Sequence, residues 1–401
     1  MILFCIIALF SFTFSQDIIK LSPEKAYELA LSGNTEIKRL THQIEALEID
    51  YELAKKYYLP VVYVGASIVY DIDKRQKDIS TNLSVVSTLY EFQRTKERIN
   101  VARLRKDMVS LLLEQLKRDI QLRILELFVK AHTYEKLTEV KREEMAVAYV
   151  RFDRARERKE LGLSTDYEVL QWESAYRARR AELLNAQYLL NQTLLELKRL
   201  CGIPYDTILE LERVSVKDWT AKFEDFEKLM EDALRNNTPL KIKKLELEIY
   251  ERDINIAKST FSPKINLRIS TDKSGIDIST PIFDAGKPYK VEYLTRLRQS
   301  AMAEKERLER DLKLIFHSAP YEWEYLKGRL QEMEVKDRFA EENLTLRRSE
   351  YELELAFDLG FAMVEKTEAE RQLLMARYDL ILFWARLFNL AGREPYDVLR
   401  E

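Results

Sequence analysis

The chain carries few residues whose type and spacing suit catalysis. Three histidines, His42, His132 and His317, are spread over 401 residues, and none is spaced from another to share a metal ion, so no metal site is expected. Cys201 has no base beside it in the sequence, which leaves no activated thiol nucleophile. No Gly-rich loop is available to cradle a phosphate. These residues read as packing or surface positions, so the chain reads as a non-enzyme that needs no cofactor. A third of the side chains are charged, 33%, yet they nearly cancel to −3. No bulk field marks a nucleic-acid partner. The 21 tyrosines and 17 phenylalanines suit helix packing and bilayer interfaces better than base stacking.

Glycine and proline are scarce, 9 of each, so long elements with few turns are expected. The stretch marked by Ala30, Leu31, Asn34, Thr35 and Pro60 returns as Ala233, Leu234, Asn237, Thr238 and Pro263, each pair offset by 203 positions. A repeat of this length points to duplicated architecture. The spacing predicts an amphipathic helix opening each half, the first capped by Ser22 with Pro23 at its first position, and ended by Pro60 and Pro263.

After Pro263 the residues alternate, with Ile265, Leu267 and Ile269 on one face and Lys264, Asn266, Arg268 and Ser270 on the other. That is a strand with one apolar side. The offset places Val62 and Val64 on the matching face, continued by Ile68. Return strands follow, giving one hairpin per half: strands over about 61–73 and 78–90, then about 264–272 and 276–283. The expected length is that of a bilayer-crossing strand, roughly 9 to 11 residues. Four strands leave open edges in lipid, so a membrane barrel built from this chain must be shared between copies.

From Arg94 to Lys159 there is no Pro or Gly, and Leu113, Leu116, Ile120, Ile124, Leu127, Ala131 and Tyr134 recur at steps of three and four. One helix of about 100 Å is predicted there. A second is predicted from Tyr289 to Asp358, with a kink or break near His317 to Tyr321 caused by Pro320. Both are expected to stop at Leu161-Gly162-Leu163 and Leu359-Gly360-Phe361, where glycine permits reversal. Return helices then end near Cys201-Gly202 and Ala391-Gly392.

Residues Met1 to Ser15 carry no charged side chain, and Thr13 and Ser15 put small residues at −3 and −1 of a cleavage site before Gln16, so 1–15 reads as a signal peptide, with a short N-terminal membrane anchor as the alternative because no basic n-region precedes it. Cys5 leaves with the signal peptide, and Cys201 alone forms no internal disulfide. The expected units are then 16–213 and 214–401.

In its order of motifs the sequence resembles the TolC-type outer-membrane efflux protein family. The resemblance is carried by the repeated Ala-Leu…Asn-Thr openings, by Pro60 and Pro263, by Ser279-Thr-Pro-Ile-Phe-Asp-Ala-Gly286, and by Leu161-Gly-Leu163 with Glu168-Val169-Leu170. It covers essentially the whole mature chain. It implies a mainly α fold with a small membrane β part: a homotrimer whose twelve-stranded barrel in the outer-membrane lipid continues as a periplasmic α-helical barrel. The implied role is a passive duct of a tripartite efflux or type I secretion system, docked to a periplasmic adaptor and an inner-membrane transporter. Gly162, Leu163, Glu168, Val169, Leu170, Gly360 and Phe361 become the tip that meets the adaptor. Val62, Val64, Ile68, Ile265, Leu267, Ile269 and Ile278 become lipid-facing.

The chain departs from the family at the tip and at one junction. The position six residues after each tip glycine, commonly Asp in the family, is Glu168 in the first half and Lys366 in the second, so Glu365 and Glu368 are the substitute constriction residues beside Lys366. Glu91-Phe92-Gln93 stands where the second half keeps Asp284-Ala285-Gly286. The alternative reading is a periplasmic coiled-coil or adaptor-like protein without a barrel. It leaves the hairpins without a purpose, and the Gly-rich lipoyl-type domain of an adaptor is not visible.

Overall fold

The computed structural model describes residues 18–71, 76–91, 94–214, 225–259, 263–271, 274–281, 283–352 and 359–400. The signal peptide expected at 1–15, with Cys5, lies outside them. Each half follows one order. The first runs β1 (Ile18–Leu21), α1 (Pro23–Gly33), α2 (Thr35–Lys55), β2 (Val61–Asp71), β3 (Gln76–Glu91), α3 (Arg94–Glu160) and α4 (Asp166–Cys201). The second runs β4 (Ile208–Leu211), α5 (Phe226–Asn236), α6 (Thr238–Lys258), β5 (Lys264–Ser270), β6 (Ser274–Ser279), α7 (Lys287–Glu352) and α8 (Leu359–Leu390), followed by the short α9 (Asp397–Arg400). The starts of α5, α6 and β5 keep the 203-residue offset from α1, α2 and β2.

Ser22 caps α1 through its side chain, which accepts from the Lys25 amide, with Pro23 behind it, as its sequence predicts. The single opening helix expected in each half is, however, two helices broken at an asparagine. Asn34 Oδ1 accepts from the amides of Glu36 and Ile37, and Asn237 Oδ1 from that of Leu240, so each asparagine starts a new helix. The same side chains donate across the fold, Asn34 Nδ2 to the Leu200 carbonyl (3.1 Å) and Asn237 Nδ2 to the Leu390 carbonyl (2.9 Å). Both partners are among the last carbonyls of a return helix, which lack acceptor duty within it. One residue type thus closes two helix ends in each half.

The prolines act differently from expectation. Helices α2 and α6 stop at Lys55 and Lys258, which match at the 203-residue offset and precede Pro60 and Pro263 by several residues. Helix α7 runs unbroken through Pro320, with no interruption at His317 to Tyr321. Its neighbours Ala319 and Trp323 are buried in the main core, and that packing holds the helix where the missing proline N–H weakens it.

The long helices form a wall, with the short α1 packed on α3 and α4 and the short α5 on α7 and α8. Along the first half of α3 the order is α2–α3–α6–α7, tied by Lys106–Glu48, Arg252–Glu97 and Lys243–Glu304. From about Arg123 onward the order is α4–α3–α8–α7, tied by Arg123–Glu196, Lys136–Glu370 and Arg329–Asp379. The four-stranded sheet repeats this sequence as β2–β3–β5–β6, all neighbours antiparallel. A parallel pair, β1 with β4, joins the two halves beside the middle of the wall. The main core lies there, where Ile124, Leu127 and Phe128 of α3 meet Phe316 and Trp323 of α7, Phe383 and Trp384 of α8, and Phe226 of α5.

Candidate functional site

The strand register sorts the sheet into two faces. Val62 lies opposite Val85, which lies opposite Ile269; Leu267 lies opposite Ile276, and Ile265 opposite Ile278. Directly opposed residues share a face, so Val62, Val64, Ile68, Ile265, Leu267, Ile269 and Ile278 line one side. Val64 is 82% exposed and Ile278 69%, although both are apolar. The other face carries Thr88 and Asn266, bonded side chain to side chain at 3.2 Å, and the Arg268–Asp277 ion pair at 3.2 Å. A bulge between Thr88 and Tyr90 shifts the register and brings Tyr90 onto the apolar face opposite Ile265.

The two hairpins are unequal. Strands β2 and β3 have 11 and 16 residues, enough to cross a bilayer, whereas β5 and β6 have 7 and 6. The equal crossing length expected for the second hairpin is therefore not reached among the described residues; 272–273 and 282 lie outside them.

Both edges of the wall carry exposed apolar seams. On α7 these are Leu314, Tyr321, Tyr325, Val335, Phe339 and Leu346, recurring at the three-and-four steps of a heptad. On α4 they are Tyr167, Leu170, Leu184, Tyr188 and Leu195, with the same recurrence. Within the wall, α7 and α8 are held by three rungs one heptad apart: Arg329 to Asp379, Lys336 to Gln372 and Asn343 to Glu365, each 2.7 Å.

At the tip, Gly162 has φ +72°, and the Gly162 and Leu163 amides bond back to the carbonyls of Lys159 and Arg158, which ends α3. Thr165 then caps α4 by accepting from the Glu168 amide, and the Glu168 carboxylate accepts from Ser164 Oγ at 2.7 Å. Val169 is half-buried on this first turn, whereas Leu163 and Leu170 are exposed. Gly360 is no counterpart of Gly162. It is the second residue of α8 and helical, and the connection from Glu352 to Leu359 lies outside the described residues. A Cβ on Gly360 would stand 2.7 Å from Val147 Cγ2, so this glycine lets α8 approach α3. Phe361 follows and packs on Arg151, whose guanidinium lies 4.3 Å from its ring and 5.3 Å from that of Trp172. These residues, with Val147, Ala148, Ala175 and Val364, line a cleft of about 370 Å³ between α3, α4 and α8.

The three constriction candidates are engaged within the chain. Glu365 accepts from Asn343. Glu368 accepts from Arg371 and Gln372; burial pushes its pKa up, but these bonds prevail and hold it below the ordinary carboxylate value. Lys366, only 14% exposed in its side chain, meets Asp337 at 2.9 Å and Glu341 at 3.0 Å across on α7. Burial lowers its pKa, and those two carboxylates more than reverse this. Sequence reasoning missed Asp337, Glu341 and Asn343, which lie in α7 far from the tip glycines; only the pairing of α7 with α8 brings them to this site.

Of the scattered residues, His132 is buried with Nε2 3.0 Å from the Glu212 carbonyl, and burial pushes the Cys201 thiol up to about 12. Among the described residues no group of three or more His, Cys, Asp or Glu side chains is placed to hold a metal ion. No described helix is long and apolar enough to cross a membrane.

The family described as Outer membrane efflux protein matches residues 26–203, the first half of the duplication. No curated protein matches the chain. Solved structures match nearly all of it. The Campylobacter jejuni CmeC outer membrane channel aligns at TM-score 0.72 and 12% identity, covering 92% of this chain and 85% of that one. The outer membrane protein VceC of Vibrio cholerae aligns at 0.66 and 15%, covering 92% and 96%. The open-state Neisseria gonorrhoeae MtrE outer membrane channel aligns at 0.63 and 17%, covering 93% and 89%.

Proposed function

With its first half matched to the outer membrane efflux protein family and the whole chain carrying the fold of outer-membrane channels, we propose that this protein is the outer-membrane channel subunit of a tripartite efflux or type I secretion system. It acts as a passive duct for substrates delivered by an inner-membrane transporter through a periplasmic adaptor. The observation that carries this reading is the continuous wall, in which the sheet order β2–β3–β5–β6 prolongs the helix order α2–α3–α6–α7 and leaves both edges open.

A wall with two different open edges joins head to tail, and closing it into a ring removes every strand edge from lipid. We take the ring to contain three copies, giving a twelve-stranded barrel in the outer membrane above a helical barrel in the periplasm. The α7 seam of one copy seats against the α4 seam of the next, which gives purpose to Tyr321, Val335, Leu184 and Tyr188. The apolar sheet face turns to lipid and the polar face to the lumen. The tip with Gly162, Leu163, Glu168, Val169 and Leu170, together with the cleft beside Gly360 and Phe361, receives the adaptor.

In mild detergent the mature protein is expected to run at three times its chain mass, and in planar bilayers to conduct ions. A monodisperse monomer that stays soluble without detergent would sink the reading. Leu267→Arg, on the lipid face, is expected to cost about 2–4 kcal/mol if that residue sits near the bilayer midplane. Assembly of this variant at the wild-type level would show that the face is assigned wrongly.

A further inference from the structure

Four junctions join sheet to helix in each chain, and all four lie at one end of the sheet. Helices α2 and α6 lead into β2 and β5, while β3 and β6 lead into α3 and α7. They form one layer, tied by the Ser87 hydroxyl to the Tyr58 carbonyl at 2.5 Å and by Arg94 Nε to Ser259 Oγ at 3.2 Å. Each junction supplies an exposed lysine: Lys56 after α2, Lys96 in α3, Lys258 at the end of α6 and Lys290 in α7. Exposed aromatic rings stand beside them. Tyr58 is 52% exposed, Phe283 86% and Tyr289 77%, and Tyr90 ends the apolar face of the sheet with its ring 6.5 Å from that of Tyr57.

Rings with one apolar and one polar end collect where hydrocarbon meets water, and long basic side chains reach from there to phosphate. We propose that this layer is a binding collar for anionic phospholipid headgroups at the periplasmic boundary of the membrane. It rests on the channel reading, since it needs the apolar sheet face in lipid. Tyr58, Tyr90 and Tyr289 fix the depth of the boundary, the wholly apolar ring of Phe283 adds area on its hydrocarbon side, and Lys56, Lys96, Lys258 and Lys290 supply charge complementary to the headgroups. The second hairpin gives this collar added weight. With strands of 7 and 6 residues it is a short anchor, so depth must be held at the junctions as well as along the strands.

The test uses the full-length mature protein in bilayers that mix phosphatidylethanolamine with phosphatidylglycerol. The lipids that stay with the protein after mild detergent extraction are identified by mass spectrometry. Wild type is expected to enrich phosphatidylglycerol at least about twofold over the bulk bilayer at low salt, with the enrichment falling as salt rises. The variant with Lys56, Lys96, Lys258 and Lys290 all changed to Gln is expected to insert and assemble yet carry lipid at the bulk ratio. Wild type at the bulk ratio, or the variant keeping the enrichment, overturns the collar while the channel reading stands. Failure of wild type to insert into either bilayer overturns both.

Discussion

Helices α4 and α8 occupy the same place in the two halves, yet their sequences obey different rules. Over Leu380 to Phe388 every residue of α8 but Arg386 is buried, whereas α4 buries only Leu183, Ala186, Thr193, Leu197 and Cys201 and exposes a heptad seam. Position in the wall explains the difference. In the order α4–α3–α8–α7, α8 has a long helix on each side, whereas α4 has α3 on one side and otherwise only the short α1 near its C-terminal end. A helix surrounded by protein is apolar all round, and one at an edge keeps a stripe for a partner. The same contrast runs the other way between α3, which is interior, and α7, which is an edge. Duplication supplied two copies of one hairpin, and their sequences then diverged according to what each came to touch.

The sharpest way to break this comparison is to truncate a side chain on each helix. Trp384 of α8 stacks on Phe226 and meets Trp323 edge-on at 5.3 Å, so Trp384→Ala is expected to destabilise by about 3–5 kcal/mol. Leu195 of α4 belongs to the exposed seam, and Leu195→Ala should change the stability of a single chain by no more than about 0.5 kcal/mol while weakening assembly. Urea titration followed by far-ultraviolet circular dichroism, beside sizing in detergent, separates the two effects. Equal losses of stability would mean that α4 is as buried as α8.

Glycines sharpen the comparison next. Gly202 and Gly392 both end return helices at positive φ, 69° and 77°, and a Cβ would lie 2.7 Å from Gly33 Cα and from the Asn236 carbonyl oxygen. Gly162 has φ +72° with no atom within 4 Å. Gly202→Ala and Gly392→Ala are therefore expected to cost about 2–4 kcal/mol, from backbone strain and overpacking together. Gly162→Ala meets the strain alone, about 1 kcal/mol. Equal costs at all three positions would show that the close approach contributes nothing.

Much of this was legible in the sequence because it is local or repeated. The Ser22–Pro23 start, the long uninterrupted α3, the glycine ends at 162, 202 and 392, and the alternation after Pro263 each depend on neighbours in the chain. What was hidden depends on partners far away. Nothing near Gly360 says that it faces Val147 rather than a turn, and nothing near Pro320 says that its helix is held by a core drawn from both halves. The breaks at Asn34 and Asn237 were within reach, since an asparagine repeated at the same offset is a capping residue given twice. Lys366 could be read as a departure from the family, but not as the partner of Asp337 and Glu341.

The two asparagines give a smaller, symmetrical test. Each caps a helix and donates to a carbonyl at the end of a return helix, so Asn34→Ala and Asn237→Ala should each cost about 1–2 kcal/mol, and about equally. Asn34→Asp keeps the acceptor for the Glu36 amide and loses the donor to Leu200, so it should fall between wild type and alanine. A large inequality between the halves would show that the duplicated asparagine no longer does the same work in both.

The smallest expected effect lies where the halves differ most in charge, at Glu168 and Lys366. If the three-copy ring places α8 around the narrow end, Glu365 and Glu368 contribute acidic rings and Lys366 a basic one, and carboxylates at a narrow opening attract cations. Each of these groups is already engaged within its own chain: Glu365 by Asn343, Glu368 by Arg371, and Lys366 by Asp337 and Glu341. The field at the opening is therefore partly neutralised, and a modest cation preference is expected. Glu365→Gln with Glu368→Gln should weaken it in single-channel recordings. Lys366→Gln should strengthen it, because the change removes a positive charge and leaves Asp337 and Glu341 without their common partner. The shift from Lys366→Gln is expected to be the larger of the two, since one substitution frees two carboxylates. Unchanged selectivity in both variants would place the constriction elsewhere along the wall and leave Lys366 as a structural tie between α7 and α8.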